Sequence, residues 1–125
     1  MHRILLRQIV IDVPTEQFQA TQTFWSSALL ATSRQLEDHP EFTALEQLAS
    51  TAQIGLQDIG STPARVHLDI ETDDIEAEVV RLSKLGATEF RRHDDWITMT
   101  DPAGLQFCLI PPESPQFSEH ARDVG

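Results

Sequence analysis

Cysteine is almost missing from this chain. Cys108 is the only one in 125 residues, so no internal disulfide can form, which suits a reducing compartment such as the cytoplasm. Basic residues are also scarce. Nine Lys and Arg stand against twenty Asp and Glu, for a net charge of −11, and the nine are scattered. Phosphate backbones and anionic membrane surfaces call for clustered positive charge, so neither a nucleic-acid nor a membrane partner is expected. The acidity itself reads as solubility. Long apolar runs are absent as well. The longest cover a few residues, far short of the roughly 20 that cross a bilayer. The opening stretch from Met1 to Arg7 has no sustained apolar segment and no small-residue cleavage site, and reads as the first strand.

What is present suits one compact unit. A chain of this length buries roughly two-thirds of its unfolded surface and needs neither metal nor disulfide to fold. Residues 4–13 are rich in β-branched and apolar side chains and predict a strand, ended by Pro14 and Thr15. A helix is expected over about 15–30, with Thr15 as its N-cap and Phe18, Thr21, Trp25 and Leu29 on one face. Residues 32–41 read as irregular, with a turn at His39-Pro40. Strands are expected near 42–47 and 53–59, and Gly60-Ser61-Thr62-Pro63 reads as a linker.

The order then starts again. Arg65-Val66-His67-Leu68-Asp69-Ile70-Glu71 alternates strictly, as a half-buried strand does. Asp73 with Glu76 resembles a capping box, and a helix is expected over about 74–85. Its apolar stripe is Ile75, Val79, Leu82 and Leu85, and Gly86 supplies a left-handed stop. Strands follow near 87–91, 95–100 and 105–110, the last two joined by the turn Asp101-Pro102-Ala103-Gly104. Strand, helix and further strands thus occur twice, with little identity between the halves.

Several segments resemble the glyoxalase-like domain of the vicinal-oxygen-chelate (glyoxalase, bleomycin resistance and dioxygenase) superfamily. They are Arg65 to Ala77, Leu85-Gly86-Ala87-Thr88, Trp96 to Leu109, and Phe24-Trp25 in the first half. The likeness covers about residues 4–111. It implies an α+β fold of two βαβββ modules, a curved mixed sheet with helices on its outer face. One glyoxalase-like domain over 1–125 is expected, with module one at about 3–60, module two at about 64–111 and a tail at 112–125. The resemblance also implies a homodimer. In the enzymes a divalent metal sits in the sheet-lined trough, with ligands from the first and last strands of each module.

Strand alternation says which side chains can face such a trough. Ile9, Ile11 and Val13 suit the helix side, leaving Leu6, Gln8 and Val10 opposite. Val66, Leu68 and Ile70 leave His67, Asp69 and Glu71 opposite, and Ile54 and Leu56 leave Gly55 and Gln57. By resemblance the four metal positions are Gln8, Gln57, His67 and Cys108. Family enzymes have Glu at the module ends, and one such Glu also moves a proton. Gln57 cannot do that work, and two neutral amides bind a divalent ion weakly. No cofactor is therefore expected as the rule, with a divalent metal as the alternative.

Each of these residues has two readings. His67 can be a ligand or general base with Asp69 beside it, or a histidine that orders its neighbours. Cys108 can be a nucleophile or a small buried hydrophobe. Gln8 and Gln57 can orient a ligand, or pair with each other or with water. Trp96, if Ile97 and Met99 mark the helix side, suits an apolar ligand, or packs in the core or a dimer contact. The tail can cover the trough mouth, strap the surface or fray. The expected function is small-molecule binding in a sheet-lined pocket without the usual metal, with Gln8, Gln57, His67, Asp69, Trp96 and Cys108 as the ligand-binding set. The alternative is a metal-dependent or His67-based lyase or isomerase.

Overall fold

A computed structural model describes residues 1–48 and 52–124, so Gly125 of the tail lies outside the described residues. The chain divides into two units. One is Gln8–Val66, and the other combines Met1–Arg7 with His67 onward. Among the described residues no helix is long and apolar enough to cross a membrane.

In the Gln8–Val66 unit, β1 (Arg3–Val13, of which Gln8 onward lies here) leads to α1 (Phe18–Ala28), β2 (Thr32–Gln35), β3 (Phe42–Glu46) and β4 (Ile54–Asp58). The strand order is β2-β3-β4-β1. β4 runs parallel to β1, and the other pairs are antiparallel. Register puts Thr43, Leu56 and Ile11 on one rung, and Leu45, Ile54 and Ile9 on another. Val10, Val13, Leu45 and Leu56 are buried. On the face shared by Val10 and Gly55, opposite Leu45 and Leu56, the Phe42 ring lies over Gly55, where any Cβ would meet ring carbons at 2.5 Å. Glycine there makes room for the aromatic ring.

Three local expectations need correction here. Thr15 does not cap α1. A 3-10 turn at Thr15–Gln17 precedes the helix, and Thr15 Oγ1 instead donates to Asp58 Oδ1. The helix is shorter than 15–30, because Leu30 takes φ 55° just beyond its end. Residues 32–35 are a strand, not irregular chain. β2 is the outermost strand of this sheet and mostly exposed, so no apolar alternation marks it. Its ladder to β3 and the Arg34–Glu46 contact at 3.0 Å hold it.

The second unit repeats the plan. β5 (Arg65–Thr72) leads to α2 (Ile75–Lys84), β6 (Thr88–Arg92), β7 (Ile97–Thr100) and β8 (Gln106–Ile110). The order β5-β8-β7-β6 again places the last strand parallel to the first. Each unit is therefore a βαβββ module, and the fold is α+β. Ile97, Met99, Phe107 and Leu109 form the core, with Leu68, Ile70, Ile75, Val79, Leu82 and Ala87 against it. The alternation of β5 thus divides as the sequence implied. The cap of α2 is Asp74 rather than the expected Asp73, and it accepts from Ala77 N–H at 3.0 Å. Gly86 ends it at φ 112°.

Two fully buried carboxylates organise this unit. Glu78 on α2 takes a bidentate pair of hydrogen bonds from Arg81, both 2.7 Å, and lies 2.7 Å from His2 Nε2. Burial alone pushes its carboxyl up, but the bonds from Arg81 and His2 outweigh that and hold it below the usual 4.5. Glu71 on β5 accepts from Glu113 N–H at 2.8 Å, Ser114 N–H at 2.7 Å and Ser114 Oγ at 2.7 Å. Arg7 Nε stands 3.6 Å away.

Those bonds turn the tail into a strap. Beyond them, α3 (Phe117–His120) buries Phe117 under the Arg3 guanidinium, 5.5 Å from the ring centre. Arg3 Nη2 donates to Ala121 O at 2.9 Å. β9 (Arg122–Asp123) then pairs with the start of β1.

Arg81→Ala should cost about 2 kcal/mol, because it strips a buried carboxylate of its main donor. Glu78 has a lowered folded pKa, so its contribution is complete above 4.5 and fades as the pH falls through the lower folded value. Urea midpoints of wild type and variant should therefore differ at pH 7 and converge in acid. Ser114→Ala removes one bond to a buried charge and should lower stability by roughly 1.5 kcal/mol, read from the same titration.

Candidate functional site

The polar residues of β5 face away from the core. His67 and Asp69 are 9% and 8% exposed, and Glu71 is fully buried. Leu68 and Ile70, between them, pack against the core of Ile97, Met99, Phe107 and Leu109. The same alternation on β8 places Cys108 opposite Phe107 and Leu109, and on β7 places Thr98 opposite Ile97 and Met99.

Register then joins residues that are distant in sequence. Asp69 pairs with Cys108, and Cys108 pairs with Thr98, so the three form one rung across β5, β8 and β7. His67 lies two residues before Asp69, and its Nε2 is 3.2 Å from Asp69 Oδ1. Ligating atoms of His67, Asp69 and Cys108 all lie within 4.8 Å of one another. Cys108 itself is only partly buried.

The polar chain continues outward. Thr98 Oγ1 is 3.6 Å from Cys108 Sγ and 3.2 Å from His93 Nε2. The His93 ring stacks on Trp96, with centroids 4.3 Å apart and planes 14° from parallel. Trp96 precedes β7 and is 40% exposed. His93 and Thr98 thus connect the aromatic stack to the cluster. Alternation marked the face of Thr98, but no local pattern marked His93, which lies just beyond β6 in a turn.

Gln8 and Gln57 belong to the other unit. They share a face, but Gln57 is level with Asp12, four residues along β1 from Gln8. That is about 13 Å at strand rise, so they do not share a rung. Gln57 lies instead between Asp12 and Phe42. Asp12 is fully buried, with Arg65 Nε 3.1 Å from its carboxylate.

The second-unit donors fit a divalent ion of borderline or soft character better than the two amides do. Imidazole, carboxylate and thiolate supply N, O and S, and the two anions balance a double positive charge. Among the described residues this is the cluster of three or more ligating side chains.

The module plan and this polar face define a glyoxalase-like fold. A family model described as glyoxalase-like domain matches residues 8–110, and the chain belongs to that family. No curated protein matches the sequence significantly. Among solved structures, a hypothetical protein from Bacillus halodurans is 13% identical, with a TM-score of 0.60 over 89% of this chain and 96% of that one. Methylmalonyl-CoA epimerase from Mycobacterium tuberculosis is 18% identical, with a TM-score of 0.55 over 92% and 91%. A 2,2',3-trihydroxybiphenyl 1,2-dioxygenase from Sphingomonas wittichii is 11% identical, with a TM-score of 0.59 over 90% of this chain and 42% of that one. At such identities the likeness is one of fold.

Proposed function

We propose that this chain is a small-molecule binding protein whose ligand lies against the polar face of the second module. The observation that carries this reading is the half-exposed Trp96 stacked on His93, at the end of the line through Thr98 to Cys108. The indole gives a flat apolar support, and the hydroxyl, imidazole and carboxylate beside it give orienting hydrogen bonds. A partly apolar ligand with one or two polar groups matches that combination. Gln8 and Gln57 are proposed as amide contacts on the first module's own polar face. The chain would work as one glyoxalase-like domain, as a homodimer and in the cytoplasm.

A second reading, a lyase or isomerase, is supported by the 3.2 Å contact between His67 and Asp69. A carboxylate on one ring nitrogen fixes the imidazole tautomer and orientation, which a proton-carrying histidine needs. His67 would take a hydrogen from the carbon next to a substrate carbonyl.

A neutral hydrophobic dye such as Nile red should bind wild-type protein saturably. Trp96→Ala should weaken binding about five- to tenfold by loss of the stacking surface, while Trp25→Phe should leave it unchanged. No saturable binding, or an unaffected Trp96→Ala, overturns the binding reading. For the second reading, chelator-treated protein should exchange the α-hydrogen of a small carbonyl compound with deuterated solvent, followed by proton NMR. His67→Ala should slow that exchange by roughly a hundredfold or more. An unchanged rate removes His67 from the chemistry.

A further inference from the structure

We propose that the second module holds a complete site of its own for a zinc-class divalent ion, formed by His67, Asp69 and the thiolate of Cys108. This goes beyond the binding reading, which needs no metal. It also departs from the four positions that the family resemblance implied. Both glutamines drop out, and the carboxylate comes from Asp69, two residues along the same strand as the histidine.

Three observations carry the proposal. The first is convergence. The donor atoms lie within 4.8 Å of one another, although Cys108 is far from the other two in sequence. A tetrahedral ion with bonds of about 2.0–2.3 Å holds its ligands roughly 3.3–3.8 Å apart, a spacing that small side-chain rotations reach from here. The second is rigidity. The ligands stand on β5 and β8, with Asp69 and Cys108 directly paired, so binding orders no loop. The third is charge. Asp69 and the thiolate of Cys108 supply two anionic donors, which match the charge of a divalent ion.

The donor set also decides which ion. Sulfur and imidazole favour Zn²⁺ and Co²⁺ over Mg²⁺ and Ca²⁺, which prefer all-oxygen sites. Three protein ligands leave a fourth position for water or a ligand atom, the pattern of zinc sites that act on a bound molecule. Thr98 Oγ1, 3.6 Å from Sγ, is placed to donate to the thiolate and support it from outside the coordination sphere. Binding is an exchange: the metal–sulfur bond forms as the thiol proton leaves to solvent. A loaded site engages His67 as a ligand, so the acid–base reading and this one exclude each other.

The experiment uses the full chain stripped of metal. Co²⁺ should bind at one per chain and produce a near-ultraviolet sulfur-to-cobalt charge-transfer band, which Zn²⁺ abolishes by displacement and Mg²⁺ does not. The single cysteine allows a test that needs no variant. Zn²⁺ should slow alkylation of Cys108 by iodoacetamide at least about tenfold, read as one mass increment per chain. Asp69→Asn should weaken Co²⁺ binding at least about tenfold, while Gln8→Ala and Gln57→Ala leave it unchanged. Cobalt binding without the sulfur band, alkylation indifferent to Zn²⁺, or a loss in either glutamine variant equal to that in Asp69→Asn overturns the site. Dye binding to the stripped protein is read separately. It persists if only the metal proposal fails, and it is lost if the binding reading fails.

Discussion

The pleat of β5 sends Leu68 and Ile70 into an apolar core and His67, Asp69 and Glu71 to the other side. A slip of one residue in its pairing with β8 would exchange the two sets. Three acidic or basic groups would then meet Met99, Phe107 and Leu109, and the cluster would dissolve. The core residues make such a slip expensive, because Leu68 and Ile70 would lose their packing against Ile97, Met99, Phe107 and Leu109. The packing that stabilises the module therefore also fixes the geometry of its chemistry. The proposed site and the stability of the module depend on the same register.

That dependence explains what could be read from the residues alone. The alternation of β5 is local, so its two faces were legible from Arg65 to Glu71. The stop at Gly86 and the turn from Asp101 to Gly104 were legible for the same reason: each is a short-range steric signal. The rung Asp69–Cys108–Thr98 was not. Nothing near Asp69 says which residue of a strand almost forty positions later will lie beside it. Asp69 was visible only as a neighbour of His67, not as a partner of Cys108. β2 stayed hidden because an outermost strand with little burial leaves no apolar period in Thr32–Gln35. The role of Glu71 was hidden too, because its donors come from Glu113 and Ser114 in a proline-rich tail that has little pattern of its own.

Buried acid recurs in an already acidic chain. Asp12, Glu71 and Glu78 have essentially no exposure, and each lies against a basic side chain of its own unit. With nine Lys and Arg in total, several of the few cations serve internal pairing. Arg3 is the clearest case, covering Phe117 and binding the backbone at the end of α3. The outer surface is left with the excess negative charge.

The second module is assembled from both ends of the chain. Val124 N–H donates to His2 O at 3.0 Å, and Arg3 pairs with Asp123. Residues 8–66 form a continuous stretch between those ends. During synthesis the first seven residues emerge early, and Arg3 meets Phe117, Ala121 and Asp123 only when the strap follows β8 out of the ribosome. The intervening unit can collapse first, as chains emerging from the N-terminal side do. The polar face of β5 therefore reaches its final form among the last events of biosynthesis, and a ribosome halted before residue 113 would release a chain with Glu71 still unclasped.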